Sequence, residues 1–419
     1  MIENILRDTI VEVPYGTENK TIVLQPGTLV LKAEEPEVQT SAERFRIDFE
    51  SSVLRSNLDL SQPVLVVTDK TRWCDYPEYL PIVTEIINRF RGKDSPFQII
   101  IAYGTHPRQS DKESLELYGS LYHRWPFTHH DCSDYGLFSE VSVTSSGTPV
   151  RLRKDLLEAS CIITMGPTCH HYFAGYGGGR KLIFPGCGER QAIFHNHGLF
   201  LDRSTGTLSP LCQPGNLTGN PLAEDLFENE SCLPAHLAIH GIPDSTGKIC
   251  NFLIGSGRTI YLEACAQHAT NFEISLAPVD TVVASCGGFP KDINFVQAHK
   301  AIHNSAGFVR DGGRLIVFAQ CPDNIGSQTF LPWYTADGFN GAFQKLSTHY
   351  VGNGGTALAM MSKTRRINIA LITDLDQEIC AKLDVAKWSP DKAESVLHKS
   401  TGRTAWIRNA GLLINKPAS

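Results

Sequence analysis

Several short apolar runs in this sequence end directly in side chains that bind anions or carry protons. VLVV runs into Thr68, Asp69, Lys70, Thr71 and Arg72, and IIIAYG runs into Thr105 and His106. CIITMGP is followed by His170 and His171, and TVVASCGG by Lys291 and Asp292. Arginine grips a carboxylate with two parallel hydrogen bonds, and imidazole exchanges protons near neutral pH. Asp69, Arg72, His106, His171 and Lys291 therefore suit recognition of a small acid and proton transfer on it, provided the fold brings them together. Any exposed loop after a strand carries polar residues, so the recurrence on four runs matters more than any one of them.

The densest segment is HHYFAGYGGGRKLIFPG, residues 170–186, with Gly175, Gly177, Gly178 and Gly179 inside five positions. Such a loop lets backbone N–H groups approach a ligand, and a plain structural turn would explain it equally well. It matches neither the GxxxxGK[ST] nor the GxGxxG phosphate-binding pattern. Lys181 follows Arg180 and precedes Leu182, Ile183 and Phe184. A neighbouring cation and desolvation both lower an amine pKa, which is how a nucleophilic or covalently linked lysine arises; most lysines are simply exposed. His195 and His197 are two apart, so on a helix they diverge and one alone faces a site. Neutral imidazole suits nickel, copper, zinc or iron, and a packed histidine is the ordinary alternative. His129 and His130 are read as loop residues. In KDINFVQAHK (291–300), Lys291 and Asp292 open a helix on which Gln297 and Lys300 share a face, either solvated or holding an anion.

The elements that must position these residues alternate. PVLVVTDKTR (63–72), FQIIIAYGTH (97–106) and a stretch within 156–171 read as buried strands, and YLPIVTEIINRFRG (79–92) as a helix with Leu80, Val83, Ile86, Ile87 and Phe90 on one face. Residues 198–248 read as loops between short helices. A second alternation follows, with strands near 277–288, 312–321 and 364–373 and a helix over 292–309. Alternation of this kind predicts an α/β protein with parallel sheets. We expect an N-terminal cofactor-binding α/β domain over 1–275, a C-terminal α/β domain over 276–405, and a tail over 406–419 able to pack back on the N-terminal domain. A cofactor and substrate cleft is expected between the two domains.

Composition narrows the classes. Over 419 residues the net charge is −6, with 38 Lys and Arg against 44 Asp and Glu and no basic block, which argues against a nucleic-acid partner. No apolar run is long enough to span a bilayer, and MIENILRDTIVEVPYG lacks the pattern of a signal peptide, so a cytoplasmic location is expected. The 12 cysteines are scattered without a CxxC pair, as in an enzyme with reduced thiols.

Taken together, these residues resemble the nickel-pincer-nucleotide-dependent lactate racemase family. The resemblance rests on five motifs in order: Asp69-Lys70-Thr71-Arg72, Gly104-Thr105-His106, HYFAGYGGGRK from His171 to Lys181, His197, and GGFPKDINFVQAHK ending with Gln297 and Lys300. It implies a racemase or epimerase of a 2-hydroxy acid working by hydride abstraction and return. The implied cofactor is a nickel-pincer nucleotide, pyridinium-3-thioamide-5-thiocarboxylic acid mononucleotide, tethered to Lys181 with His197 as the protein ligand to nickel. His106 and His171 would be the catalytic acid–base pair. Arg72, Gln297 and Lys300 would bind the substrate carboxylate, and Asp69, Lys70, Thr71 and Arg72 would line the cofactor. Implied partners are the small 2-hydroxy acid and, transiently, cofactor-biosynthesis proteins.

Hydride transfer suits the residue types, because the Cα proton of a 2-hydroxy acid is weakly acidic whereas hydride loss gives a planar 2-oxo acid that can be reduced from either face. No side chain accepts hydride, so a cofactor must. The chain departs from the family where Arg72 is followed by Trp73 and Cys74, where His106 is followed by Pro107 and Arg108, and where YVGNGGTALAM lacks a histidine–lysine pair. These positions flank the implied substrate pocket, so the resemblance reaches the class of acid rather than lactate itself. Two other readings stand beside it: a nicotinamide-dependent 2-hydroxy acid dehydrogenase, which should show a Gly-rich βα turn with an acid about 20 residues on, and a non-catalytic anion- or nucleotide-binding protein. Nickel in purified protein separates them.

Overall fold

Pro63–Thr68 is buried at all six positions, and its neighbours Gln98–Ala102 and Cys161–Pro167 are nearly as apolar. Runs without polar alternation mark strands covered on both faces, as in parallel sheets. In the computed structural model, which describes residues 1–92, 96–335 and 337–416, they form the centre of a six-stranded sheet. Its order is Ile249–Gly255, Leu237–Pro243, Cys161–Pro167, Pro63–Thr68, Gln98–Ala102, Phe127–His129, and only Ile249–Gly255 runs antiparallel. One face, with Leu65, Val67, Ile99, Ile101, Ile163 and Met165, packs with Phe45, Phe49, Leu80 and Val83. The other face, with Val64, Val66, Ile100 and Ile162, packs with Leu152, Leu156, Leu182 and Ile183.

The chain proceeds outward from Pro63–Thr68 through Gln98–Ala102 to Phe127–His129, then returns to the opposite side of Pro63–Thr68 with Cys161–Pro167. The order therefore reverses between Pro63–Thr68 and Cys161–Pro167, and the crevice beyond the carboxyl ends at such a switch point is where open α/β sheets bind ligands.

The chain divides into two α/β units. The central unit comprises Glu35–Leu199 and Leu211–Asn271; the terminal unit comprises Met1–Glu34, Phe200–Pro210 and Phe272–Ser419. The terminal unit holds a seven-stranded sheet ordered Ile2–Asn4, Leu29–Leu31, Thr404–Ile407, Val279–Ser285, Val309–Phe318, Asn368–Ile372, Ala386–Lys387.

The structure corrects the expected domains at both ends of the chain. Leu29–Leu31 pairs with Thr404–Ile407, and Val13, Tyr15, Ile22 and Leu24 are buried with Val283, Phe318 and Trp406, so residues 1–34 belong with the C-terminal part. The tail stays in that unit too, because Ile414–Asn415 pairs with Glu273–Ile274. Residues 198–248 are loops around the helix Pro221–Cys232, as expected, but they also contain the buried strand Leu237–Pro243, whose His240 and Gly241 disguise it as a turn. The helix read over 79–92 spans Tyr76–Phe90, with Leu80, Val83, Ile86 and Ile87 buried and Phe90 exposed. Lys291 and Asp292 precede the helix Phe295–Ala306 rather than open it, since Asn294 caps it through Gln297 N. His129 ends a strand and bonds to the Tyr103 and Tyr122 hydroxyls, so it is not a loop residue; His130 is in the loop that follows, buried, with Nε2 donating to the Gly188 carbonyl.

Burial, aided by Arg153, pushes His130 down to about 4, and burial alone pushes His240 down to about 4. Both are thus neutral in the folded chain at pH values where an unfolded histidine, near 6.5, takes up a proton. Protons then favour the unfolded state, so this contribution to stability is whole above about pH 6.5 and falls away toward pH 4, by on the order of 2–3 kcal/mol per group. Melting temperature should drop between pH 7.5 and 4.5, and His240→Gln should flatten part of the drop. An equal fall in that variant would contradict the assignment.

Candidate active site

A cleft opens at the switch point of the central unit. Asp69, Thr71 and Arg72 enter it from the turn after Pro63–Thr68, and His106 from the turn after Gln98–Ala102. His171 and Lys181 come from the segment after Cys161–Pro167, and His197 from the helix Arg190–Gly198. Four of the five residues singled out after strands therefore meet in one place. The fifth, Lys291, lies in the terminal unit.

His106 Nδ1 lies 2.7 Å from Asp69 Oδ2, and Asp69 Oδ1 accepts the Thr71 N–H at 3.0 Å and its hydroxyl at 2.6 Å. Burial raises the Asp69 carboxyl, but the bonds from His106 and Thr71 outweigh it and hold the pKa below the usual value. A carboxylate at Nδ1 fixes the proton there and leaves the Nε2 lone pair for a ligand.

His171 is prepared differently. Its Nδ1 accepts the backbone N–H of Phe173 at 3.3 Å and of Ala174 at 3.0 Å, so the neutral ring carries its proton on Nε2. Burial and the charges of Lys181 and Arg72 hold its pKa well below the usual range.

His197 Nδ1 donates to the Ile193 carbonyl at 2.9 Å, which puts the ring's lone pair on Nε2. This is the orientation common among metal-binding histidines. Burial, with Lys181 adding to it, pushes His197 down to about 3, so the imidazole is neutral. His195, on the same helix, points elsewhere, with Nδ1 2.9 Å from the Thr148 hydroxyl. The two histidines diverge as helical spacing requires.

Lys181 stands in a tight turn, Gly179–Leu182, entered through Gly178 at φ 78°. A Cβ on Gly178 would lie 2.5 Å from the Pro167 carbonyl oxygen, so only glycine lets the loop pass this close to the strand end. Burial, then Arg180 and Arg72, push the Lys181 amine down to about 7.

Lys70 is not among the cleft-lining residues: its ammonium pairs with Glu113 on the surface. Gln297 and Lys300 lie on the helix Phe295–Ala306 of the terminal unit, where the Lys300 ammonium donates to Gln297 Oε1 at 2.7 Å. Sequence reading missed the apolar wall of Leu182, Pro185 and Ile193, which looks like ordinary core in a linear chain. It also missed the Asp69–His106 pair, 37 residues apart.

Two family models account for most of the chain: the lactate racemase N-terminal domain matches residues 13–208, and the lactate racemase C-terminal domain matches residues 274–345. The chain belongs to the lactate racemase family. It is 28% identical over 335 residues to the lactate racemase of Thermoanaerobacterium thermosaccharolyticum, covering 77% of each chain. It is 27% identical over 277 residues to that of Lactiplantibacillus plantarum, covering 64% of this chain and 62% of the relative. The fold matches the lactate racemase apoprotein of T. thermosaccharolyticum with a TM-score of 0.84 at 22% identity, over 97% of this chain and 100% of the other. A Thermotoga maritima protein matches with a TM-score of 0.68 at 16% identity, over 92% and 100% of the chains. In this lactate racemase family member, no described helix is long and apolar enough to cross a membrane.

Proposed function

We propose that this enzyme racemises or epimerises a 2-hydroxy acid by moving the Cα hydrogen as hydride, with a nickel-pincer nucleotide tethered to Lys181. The observation that carries the reading is the meeting of Arg72, His106, His171, Lys181 and His197 in one cleft of a lactate racemase family chain. Among the described residues no three His, Cys, Asp or Glu side chains are grouped to hold a metal. A metal here would thus depend on ligands brought by a cofactor. The neutral imidazole of His197, oriented through Nδ1 by the Ile193 carbonyl, beside an amine near neutrality, fits a group of that kind.

When bound, the cofactor supplies the electrophilic centre that takes hydride from Cα and returns it. Lys181 would hold it through its amine nitrogen, as a thioamide. His197 would ligate nickel through Nε2. The guanidinium of Arg72 would hold the substrate carboxylate, which keeps a planar intermediate from escaping. Gln297 and Lys300 are proposed as further carboxylate ligands on the strength of their motif.

His106 and His171 are proposed as the acid–base pair for the hydroxyl proton. His106, with Asp69 behind it, is ready to accept that proton at Nε2. His171 offers an Nε2–H donor. A neutral ring that gave up its one proton would be left as imidazolate, so to trade a proton at Nε2 in either direction His171 must carry a proton at Nδ1 and release the Phe173 and Ala174 N–H groups. Asp69 acts as the positioning group for His106 as well as lining the cleft. The implied location remains the cytoplasm.

A panel of single-enantiomer 2-hydroxy acids, incubated with cofactor-loaded protein and read by chiral chromatography, tests the function and finds the substrate. Formation of no opposite enantiomer from any member would refute it. His197→Ala should lower nickel retention severalfold with the fold intact, read by elemental analysis and thermal melting. The same loss from His195→Ala alone would show that the wrong imidazole has been assigned.

A further inference from the structure

Arg180 is 3% exposed, yet among the described residues none of its three guanidinium nitrogens has a hydrogen-bond partner. Buried arginines are normally paired, because an uncompensated charge away from water is costly. Here the guanidinium carbon lies 4.1 Å from the centre of the Phe227 ring and 4.7 Å from that of Tyr261. Aromatic faces attract a cation without cancelling its charge, whereas a carboxylate partner would cancel it. Glu230 is the nearby acid. Burial raises its pKa against the pull of Arg180 and Arg258, and among the described residues it accepts no hydrogen bond from Arg180. Arg258, exposed on the surface, packs on Phe227 with its guanidinium carbon 3.6 Å from the ring centre.

Arg180 does not line the cleft, but its chain neighbour Lys181 does. A guanidinium does not lose its proton in a protein, so it presents a permanent charge to that amine in a desolvated setting. The other groups acting on Lys181 are Arg72, which adds to the effect, and Cys169, which opposes it. His171 and His197, which also face it, are held neutral, each by burial first and by neighbouring cations second.

We propose that Arg180 is a positioning residue for Lys181: clamped by Phe227 and Tyr261 instead of neutralised by a carboxylate, it keeps the Lys181 amine uncharged and ready to bond. The inference rests on the proposed function only for what the amine bonds to. The push of the amine down to about 7 agrees with it.

The test reads the amine itself in full-length, cofactor-free protein. Trace acetic anhydride is applied across a pH series, and acetylation at Lys181 is measured by peptide mass spectrometry against exposed Lys112. Arg180→Met removes the charge and keeps most of the volume, and thermal melting checks the fold. At pH 7 its Lys181 rate should be lower by roughly fivefold, the result of a rise of about one pKa unit, and the whole profile should shift to higher pH. Arg258→Ala should leave the profile in place. A folded Arg180→Met protein whose Lys181 profile overlays the native one would overturn the proposal. Should that variant not fold, Arg180→Gln is read in the same way: a Lys181 profile moved to higher pH upholds the proposal, and one that overlays the native profile overturns it. Loss of the cofactor assignment on Lys181 with the Arg180 effect intact would refute the proposed function and leave this inference standing.

Discussion

Lys181→Ala is expected to remove the covalent adduct completely and activity with it. With its amine pushed down to about 7, about half of Lys181 is uncharged at neutral pH, on the order of a thousandfold more than an ordinary lysine near 10.4. Only the uncharged amine has a lone pair to give to a thiocarboxyl carbon. Lys70, the other lysine in the binding motifs of the central unit, is paired with Glu113 and does not line the cleft. Intact-mass and peptide mass spectrometry of protein made alongside its cofactor-producing enzymes should place the adduct on Lys181. An adduct on another lysine would contradict the assignment, and so would its survival in Lys181→Ala.

His106→Ala is expected to lose about 10²–10⁴-fold in turnover, the usual contribution of a positioned acid–base group. Asp69→Asn should fall in the same direction, because an amide cannot both accept the Nδ1 proton and keep the two Thr71 bonds in their present form. Both losses should appear from either enantiomer, since a group that is base in one direction is acid in the other. Turnover measured in both directions, with nickel content as a control for loading, checks this. A variant that loses activity only in proportion to its nickel would show that His106 acts on the cofactor and not on the substrate.

The cleft was legible in the sequence to the extent that it is built from strand ends. Asp69, Arg72, His106 and His171 stand out because each follows a run of buried residues, and a parallel sheet delivers such positions to one edge. The divergence of His195 and His197 followed from helical spacing alone. What stayed hidden is what the chain assembles from distant parts. The bond between Asp69 and His106 depends on two adjacent strands, and no local pattern announces it. The clamp around Arg180 draws Phe227 from a segment that reads as loop and Tyr261 from a helix beyond it. The place of residues 1–34 depends on the pairing of Leu29–Leu31 with Thr404–Ile407, which spans almost the whole chain and leaves no local signal.

The central claim is that the Cα hydrogen leaves and returns as hydride, and one isotope measurement meets it directly. A single enantiomer of the substrate, deuterated at Cα, is converted by cofactor-loaded protein in ordinary water, and the opposite enantiomer is isolated and weighed by mass spectrometry. The account expects that product to retain its deuterium, because the hydrogen never meets solvent. A product that has exchanged its deuterium for solvent hydrogen would contradict the account and point to a carbanion held by the same histidines.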